Sequence, residues 1–234
     1  MSVDRSTELA LNWHQVGESV AMSCRDAGRN PHDVSIIAVT KTWPASDIEL
    51  LSSLGITDVG ENRDQEAKAK HQELANLPIT WHAIGQLQTN KAKSVAAWAD
   101  VVHSVDRPEL VESLGKATVQ RVVPLKVLIQ INLDPVVTSE RGGCHPDALL
   151  ELARHISSHA GLSLGGVMGV APLDGDADAA FARLQDLSHE LVAYESQASW
   201  ISAGMSGDYD IAIKYGATHL RIGSLILGHW PPNR

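Results

Sequence analysis

The chain has 234 residues, of which 44% are hydrophobic, and this is enough for one medium-sized domain with a large core. The formal net charge of -9, with no block of Lys or Arg, argues against a nucleic-acid partner and against an anionic membrane surface. Residues 1–20 contain no uninterrupted apolar run and predict neither a signal peptide nor a membrane span. The two cysteines, Cys24 and Cys144, lack metal-type spacing and predict reduced thiols in a cytoplasmic protein.

Short β-branched runs alternate with longer amphipathic stretches along the chain, which is typical of βα units around a parallel sheet. The predicted strands are 34–40, 57–61, 80–84, 101–105, 125–132, 164–171, 200–203 and 219–223. The predicted helices are 3–27, 46–54, 62–76, 107–117, 146–159, 176–194 and 207–215. Eight strands after an extra N-terminal helix favour a single (β/α)₈ TIM barrel over residues 1–234. An open dinucleotide-binding sheet is less favoured, because no G-x-G-x-x-G follows the first strand.

Several residues mark the predicted helix ends. Ser46 followed by Glu49 predicts a capping box at the start of the helix 46–54. Pro108 and Pro146 lie where a first helical turn accepts proline, and Gly55 lies where a helix would end. In a TIM barrel the chemistry then belongs at the carboxyl ends of the strands.

Lys41 follows the apolar run VSIIAVT at 34–40 and is therefore predicted at the mouth of the barrel. Partial removal of water there favours a neutral amine, the form that makes a Schiff base with an aldehyde. From its strand position alone, Lys41 would more simply be a lysine that reaches solvent at the end of a strand.

Two segments near the C-terminus predict an anion site. The stretch SAGMSGD at 202–208 offers the Ser202 hydroxyl, free backbone N–H groups and Ser206 as a helix N-cap. The stretch RIGS at 221–224 offers backbone N–H groups around Gly223 and the Ser224 hydroxyl. Each segment alone is also typical of a tight turn. Their joint position favours a phosphate site, because barrels often bind phosphate with the loops after strands seven and eight.

Eight short motifs occur in a fixed order. They are IAVTKT at 37–42, GEN at 60–62 followed by QE at 65–66, WHAIGQLQTNK at 81–91, HSVD at 103–106, VLIQIN at 127–132, GVM at 166–168, SAGMS at 202–206 and RIG at 221–223. Over residues 5–230 the chain thereby resembles the pyridoxal phosphate (PLP) homeostasis proteins, also called proline synthase co-transcribed homologues. Members of that family are similar to the N-terminal barrel of alanine racemase and to fold type III PLP enzymes.

The resemblance implies PLP as cofactor and a set of residues that bind it. They are Lys41, Asn62, Met168, Ser202, Ser206, Arg221, Gly223 and Ser224. Lys41 would form the Schiff base, Asn62 would lie beside the ring, and the serines and Gly223 would surround the phosphate. Arg221 would approach the pyridine nitrogen. A guanidinium stays protonated and cannot stabilise a protonated pyridine nitrogen, so the ring would be a weak electron sink.

The resemblance therefore implies a protein of intracellular vitamin B6 homeostasis, which stores PLP or delivers it to apo PLP-dependent enzymes without substantial catalysis. We expect a monomer, because the second domain that carries the racemase dimer interface is missing. A weak amino-acid racemase is the alternative, with Lys41 as one of two bases. Racemases of this type use a tyrosine from a second domain, whereas Tyr194, Tyr209 and Tyr215 fall in predicted helices and the chain ends soon after the eighth strand. A class I aldolase that uses Lys41 without a cofactor is a third hypothesis.

Three features of the sequence are assigned no role in the site. Residues 135–144 depart from the family pattern, with Thr138 at the usual acidic position and Arg141 at the usual lysine. His155 and His159 are four residues apart and could present two metal ligands on one helix face, but no third ligand is evident. We therefore expect no metal site. We expect His82 and His103 to be core or rim residues.

Overall fold

The computed structural model describes residues 4–134, 142–173 and 175–228. Eight parallel strands pair in chain order, and the first pairs with the eighth to close a barrel. The strands are β1 Ser35–Val39, β2 Asp58–Glu61, β3 Thr80–Ala83, β4 Val101–Val105, β5 Leu125–Ile131, β6 Leu162–Gly169, β7 Trp200–Ser202 and β8 His219–Ile222. The prediction of a (β/α)₈ TIM barrel is confirmed.

Helices surround the barrel. They are α1 Arg5–Asp26, α2 Ala45–Ser53, α3 Asp64–Glu73, α4 Ala92–Val95, α5 Pro108–Thr118, α6 Leu149–Ser157, α7 Ala177–Tyr194, α8 Tyr209–Lys214 and α9 Ser224–Leu227. Their apolar faces and the outer face of the sheet form one core, which includes Leu110, Leu152 and Leu184. The short helices α4 and α9 were not predicted, because four residues carry too little periodicity to signal a helix.

The N-terminal helix α1 packs against α9, the last helix among the described residues. It buries Leu9, Val16 and Val20 at helical spacing. Asn12 Nδ2 donates to Ile226 O over 2.9 Å. This contact ties the beginning of the described chain to α9, the helix that follows β8.

Two of the N-caps predicted from the sequence are not formed. The helix α2 begins at Ala45 with Pro44 as N-cap and no side-chain cap, so Ser46 already lies inside the helix and the predicted capping box is wrong. Ser206 is not an N-cap either, because α8 begins after Asp208. The Asp208 carboxylate turns back and accepts from the Met205 N–H over 2.6 Å. Pro108 does begin α5, as predicted.

The backbones of β6 and β7 approach each other very closely at Gly166. Gly166 has a φ of 148°, and a Cβ atom there would overlap the carbonyl oxygen of Trp200. Only glycine fits this position, which allows Met168 to pair with Ser202 further along the same two strands.

The departure from the family pattern at Thr138 and Arg141 lies outside the described residues. Within the described ranges, no helix has both the length and the apolar character that a membrane crossing requires.

Candidate functional site

The residues predicted from the sequence gather along one arc of the barrel rim. Met168, Ser202 and Arg221 lie within the last residues of β6, β7 and β8. Lys41 follows β1 by two residues and Asn62 directly follows β2. Because β6, β7, β8, β1 and β2 are consecutive neighbours in the closed barrel, the arc is continuous.

The ends of β8 and β1 bring Gly223 close to the segment that carries Lys41. Ala38 pairs with Ile222, and a Cβ atom on Gly223 would lie 3.4 Å from the side chain and carbonyl of Val39. Lys41 is exposed, whereas Gly223 and Ser224 are half-buried. The lysine and the predicted phosphate turn therefore lie on adjacent strand ends.

A buried lysine from α3 holds the residue before Lys41. Lys70 Nζ donates to the Thr40 carbonyl over 2.9 Å and to Glu61 Oε1 over 2.7 Å. The Thr40 hydroxyl donates to the same Glu61 oxygen over 2.7 Å. Burial raises the pKa of Glu61, and the positive charge of Lys70 opposes that shift. These contacts join the carboxyl ends of β1 and β2 to α3.

The residue after Lys41 is held by the same helix. Glu66 accepts from Lys70 Nζ over 2.6 Å and from the backbone N–H of Thr42 over 2.6 Å. Thr42 has a φ of 70°, a conformation that a β-branched residue adopts only when its surroundings impose it. The backbone of Lys41 is thus fixed from both sides while its side chain is exposed. The sequence analysis missed Lys70; the signal for it was Glu61, a carboxylate at the end of a buried strand that needs a partner.

A chain of hydrogen bonds crosses the interior of the barrel. His82 Nε2 lies 2.9 Å from Asp58 Oδ1, and His82 Nδ1 lies 2.9 Å from His103 Nε2. His103 Nδ1 lies 2.9 Å from the Ser202 hydroxyl, which lies 2.8 Å from Arg221 Nη1. His103 is on β4 and Ser202 on β7, so this link spans the lumen. The polar chain runs from the amino end of β2 to the carboxyl ends of β7 and β8.

The direction of the bonds in this hydrogen-bonded chain depends on the tautomers of the two histidine rings. An ionised Asp58 can only accept, and Arg221 can only donate, so Ser202 accepts from Arg221. In the arrangement with two uncharged rings, His82 and His103 each donate from Nε2. The Ser202 hydroxyl then donates its proton to His103 Nδ1.

Burial keeps His103 neutral and leaves Arg221 charged. His103 is fully buried, and the loss of water lowers its pKa well below the usual range, with smaller effects of the same sign from His82 and Arg221. Burial lowers the pKa of Arg221 to about 10, a shift that Asp208 opposes. Arg221 donates to two neutral acceptors, the Ser202 hydroxyl and, over 3.0 Å, the Gly169 carbonyl. It remains a protonated donor at the rim.

Of the other two predicted residues, Met168 lies on this arc, whereas Ser206 lines a separate cavity between α1 and α8. Met168 is buried, 2% exposed, at the end of β6. Ser206 is half-buried in the turn between β7 and α8, close to Gly204, whose carbonyl accepts from the Arg221 N–H over 2.9 Å.

A cavity of about 800 Å³ lies beside the arc, where β2 and β3 end. Asn62 is the one predicted residue among those that line it, together with Gly85 and Arg107. A Cβ atom on Gly85 would lie 2.7 Å from the Asn62 carbonyl, so the absence of a side chain at Gly85 determines where Asn62 can lie.

Asn132, at the end of β5, is an additional polar residue at the rim. It is 3% exposed, and its Oδ1 accepts from the Asp134 N–H over 2.9 Å. Its Nδ2 is buried without a hydrogen-bond partner in the described part of the chain, and the residue lines a second cavity of about 220 Å³. An unused buried donor at the rim fits a site that receives a ligand.

Comparison with known proteins supplies the family. The model described as "Alanine racemase, N-terminal domain" matches residues 24–231. A "Pyridoxal phosphate homeostasis protein" from Mycobacterium tuberculosis is 38% identical over 244 residues, which are 96% of this chain and 94% of the relative.

Two solved structures support the same assignment. PipY of Synechococcus elongatus, with PLP bound, is 34% identical with a TM-score of 0.76 and covers 89% of this chain and 100% of its own. An unknown protein from Bifidobacterium adolescentis is 29% identical with a TM-score of 0.89, over 96% of this chain and 97% of its own. The chain therefore belongs to the alanine racemase N-terminal domain family and, within it, to the pyridoxal phosphate homeostasis proteins.

Proposed function

We propose that this chain binds PLP on Lys41 and serves intracellular PLP homeostasis by storing the cofactor or passing it on. One observation carries the proposal: consecutive strand ends bring an exposed amine, a protonated guanidinium and the Gly223–Ser224 turn to one arc of the rim. The relative PipY has been solved with PLP bound. Other relatives carry the name of a homeostasis protein and no enzyme name.

The residues of the arc fit the parts of the cofactor. PLP supplies an aldehyde, which condenses with a primary amine, and Lys41 is the amine of the arc. Asn62 and Met168 would flank the ring, and Ser206, Gly223 and Ser224 would surround the phosphate. Arg221 would donate to the pyridine nitrogen.

The polar chain refines the role of Ser202. Its hydroxyl lies 2.9 Å from His103 Nδ1 and 2.8 Å from Arg221 Nη1, so it already has two partners inside the barrel. Ser202 acts on the cofactor through Arg221, whose guanidinium it orients.

Arg221 is also the reason why we propose that the protein stores PLP and does not catalyse substrate turnover. A permanently protonated Arg221 leaves the pyridine nitrogen unprotonated and the ring a weak electron sink. The racemase hypothesis also needs a second base. Tyr194 ends α7, Tyr209 begins α8 and lines a cavity with residues of α1, and the Tyr215 hydroxyl donates to Asp178 over 2.9 Å.

The cellular setting follows from the function. We place the protein in the cytoplasm as a monomer, with apo PLP-dependent enzymes as the recipients of the cofactor. Cys24 and Cys144 are both buried free thiols, which fits a reducing compartment. Light scattering of the loaded chain tests the monomer: a mass near 25.1 kDa is expected.

The test is a PLP titration followed by a transfer assay. The purified chain should take up one PLP with a new visible absorption band, and Lys41→Ala should not, whereas Lys68→Ala, which removes an exposed lysine of α3, should behave as wild type. Loaded protein should then activate an apo-enzyme that depends on PLP.

Two results would contradict the proposal. Racemisation of alanine or serine on the order of 1 s⁻¹ or faster, the range of ordinary enzymes, would establish an enzyme. A chain that remains colourless at saturating PLP would leave the cofactor-free aldolase as the surviving hypothesis.

A further inference from the structure

A cluster of two histidines and one glutamate lies on the outer surface of the barrel, away from the Lys41 arc. His155 is on α6, His159 follows that helix shortly before β6 begins, and Glu112 is on the neighbouring helix α5. The position of His159 places the cluster towards the amino ends of the strands, whereas Lys41 is at the carboxyl ends. The site described above makes no use of these residues. Glu112 is the third ligand that was not evident from the sequence, where no metal site was expected.

One ligand atom from each residue already converges on a common point. His155 Nε2 lies 2.8 Å and His159 Nε2 lies 3.4 Å from Glu112 Oε1, and all three atoms lie within 4.8 Å of one another. Tetrahedral zinc with bonds of about 2.0–2.1 Å places its ligand atoms about 3.3–3.4 Å apart. The two measured separations bracket that value, so a metal ion needs only small side-chain rotations.

The His159 ring is held with its metal-binding nitrogen unused. Its Nε2 is buried and has no hydrogen-bond partner among the described residues, although the Glu112 carboxylate is near. The ring is seated against Gly115 on α5, where a Cβ atom would overlap Nδ1. It lies roughly parallel to the His155 ring, with ring centroids 5.7 Å apart. A buried imidazole nitrogen without a hydrogen bond is costly unless something binds it.

The surrounding charges leave the cluster able to bind a cation. Lys116 Nζ lies 3.8 Å from Glu112 Oε2, so it addresses the oxygen that the histidines do not use. Two imidazoles with one carboxylate suit zinc and neighbouring transition metals better than calcium or magnesium, which prefer oxygen ligands alone.

We propose that Glu112, His155 and His159 form a binding site for a divalent transition-metal ion such as Zn²⁺, which joins α5 to α6 and leaves one coordination position to water. The site is structural: an ion that binds these two helices together stabilises the folded chain only. It is independent of PLP binding.

The test uses the full chain without added PLP, stripped with a chelator and titrated with Zn²⁺ against a chromophoric competitor. We expect one tight equivalent and, at about 100 times Kd, a rise in Tm of about 5–10 °C that the chelator reverses. Glu112→Gln, His155→Gln and His159→Gln should each weaken binding at least about tenfold. Circular dichroism shows whether each variant is folded.

A matched control distinguishes this cluster from an exposed pair of one histidine and one carboxylate. His14 Nε2 and Glu18 Oε1 lie 3.4 Å apart one turn along α1, both side chains are 71% exposed, and no third ligand is near them among the residues that the structure describes. His14→Gln should leave zinc affinity unchanged. An unchanged Kd in folded Glu112→Gln and His155→Gln, a Kd above about 100 μM in the wild type, or an equal loss in His14→Gln would each overturn the proposal.

Discussion

Ser202 illustrates how one hydroxyl can determine the character of a site. It joins a buried neutral histidine to a buried guanidinium, and both would lose a partner without it. Arg221 can then keep its orientation towards the rim because one arm is held by Ser202 and the other by the Gly169 carbonyl.

Substitution of Ser202 should therefore be costly, in contrast to that of another buried serine. Ser202→Ala leaves His103 Nδ1 and Arg221 Nη1 unpaired and should lower the free energy of unfolding by about 1–3 kcal/mol. Ser104 is equally buried, but its hydroxyl has no hydrogen-bond partner in the described structure, so Ser104→Ala should be neutral or stabilising. Urea denaturation of both variants measures this. If both substitutions lower the free energy of unfolding equally, the Ser202 hydroxyl does not link His103 to Arg221 as described.

The direction of the polar chain can be observed directly. Nitrogen-15 spectra of the histidine-labelled chain at neutral pH should show His103 as a neutral ring, because burial lowers its pKa well below the usual range. A proton on His103 Nε2 would mean that the Ser202 hydroxyl donates to Nδ1. Variants that replace each histidine assign the signals. A proton on Nδ1 of His103 would reverse the bond to Ser202 and release that hydroxyl for the phosphate.

At the scale of elements, α3 positions Lys41 without contributing to the arc itself. Lys70 and Glu66 on α3 hold the residues on both sides of Lys41. Lys70→Met leaves Glu61 buried without its cation and should destabilise the fold by about 3–5 kcal/mol. It should also weaken PLP retention, because Lys41 loses its fixed backbone.

Two controls accompany this substitution. Lys68→Met, on the exposed side of the same helix, should change neither property. Adding Glu61→Gln to Lys70→Met should restore part of the stability, because the buried charge is then removed. If Lys70→Met unfolds in urea as wild type does, the contacts of Lys70 do not hold the segment.

The elements were predictable from sequence where the signal is local. Runs of β-branched residues such as VSIIAVT located the strands, and the rule that barrel chemistry lies at strand carboxyl ends located Lys41 and Arg221. The predicted cap at Ser46 is wrong because an N-cap directly precedes its helix, and this helix begins at Ala45 with Pro44 as N-cap.

Contacts between distant segments were not predictable. Lys70 meets the Thr40 carbonyl across 30 residues, and His155 meets Glu112 across 43. Neither spacing follows a secondary-structure period, so each pair becomes visible only once the barrel brings its helices and strands together.

For the molecule as a whole, the polar interior of the barrel predicts sensitivity to acid. Burial lowers the pKa of His219 to about 3, with a smaller contribution from His82, and lowers that of His103 well below its usual range. In the unfolded chain both titrate near about 6.5. Below that pH the unfolded chain binds protons that the folded chain does not, so stability present at neutral pH is lost as the pH falls towards 3.

Each such histidine should lower the free energy of unfolding by up to about 1.4 kcal/mol per pH unit below about 6.5. Urea denaturation at pH 7, 6 and 5 measures the slope. His219→Gln should reduce this slope by the contribution of about one bound proton. His32→Gln, which replaces an exposed histidine, should leave the slope unchanged. Stability that does not change between pH 7 and pH 5 would mean that these rings are not kept neutral by burial.

The attachment of PLP to Lys41 is tested most directly by chemical trapping. The loaded chain is reduced with borohydride, digested, and its peptides are identified by mass. The cofactor should be found on the peptide that contains Lys41, at one equivalent per chain. Stoichiometric label on any other lysine, or none at all, would contradict the assignment of this rim as the cofactor site.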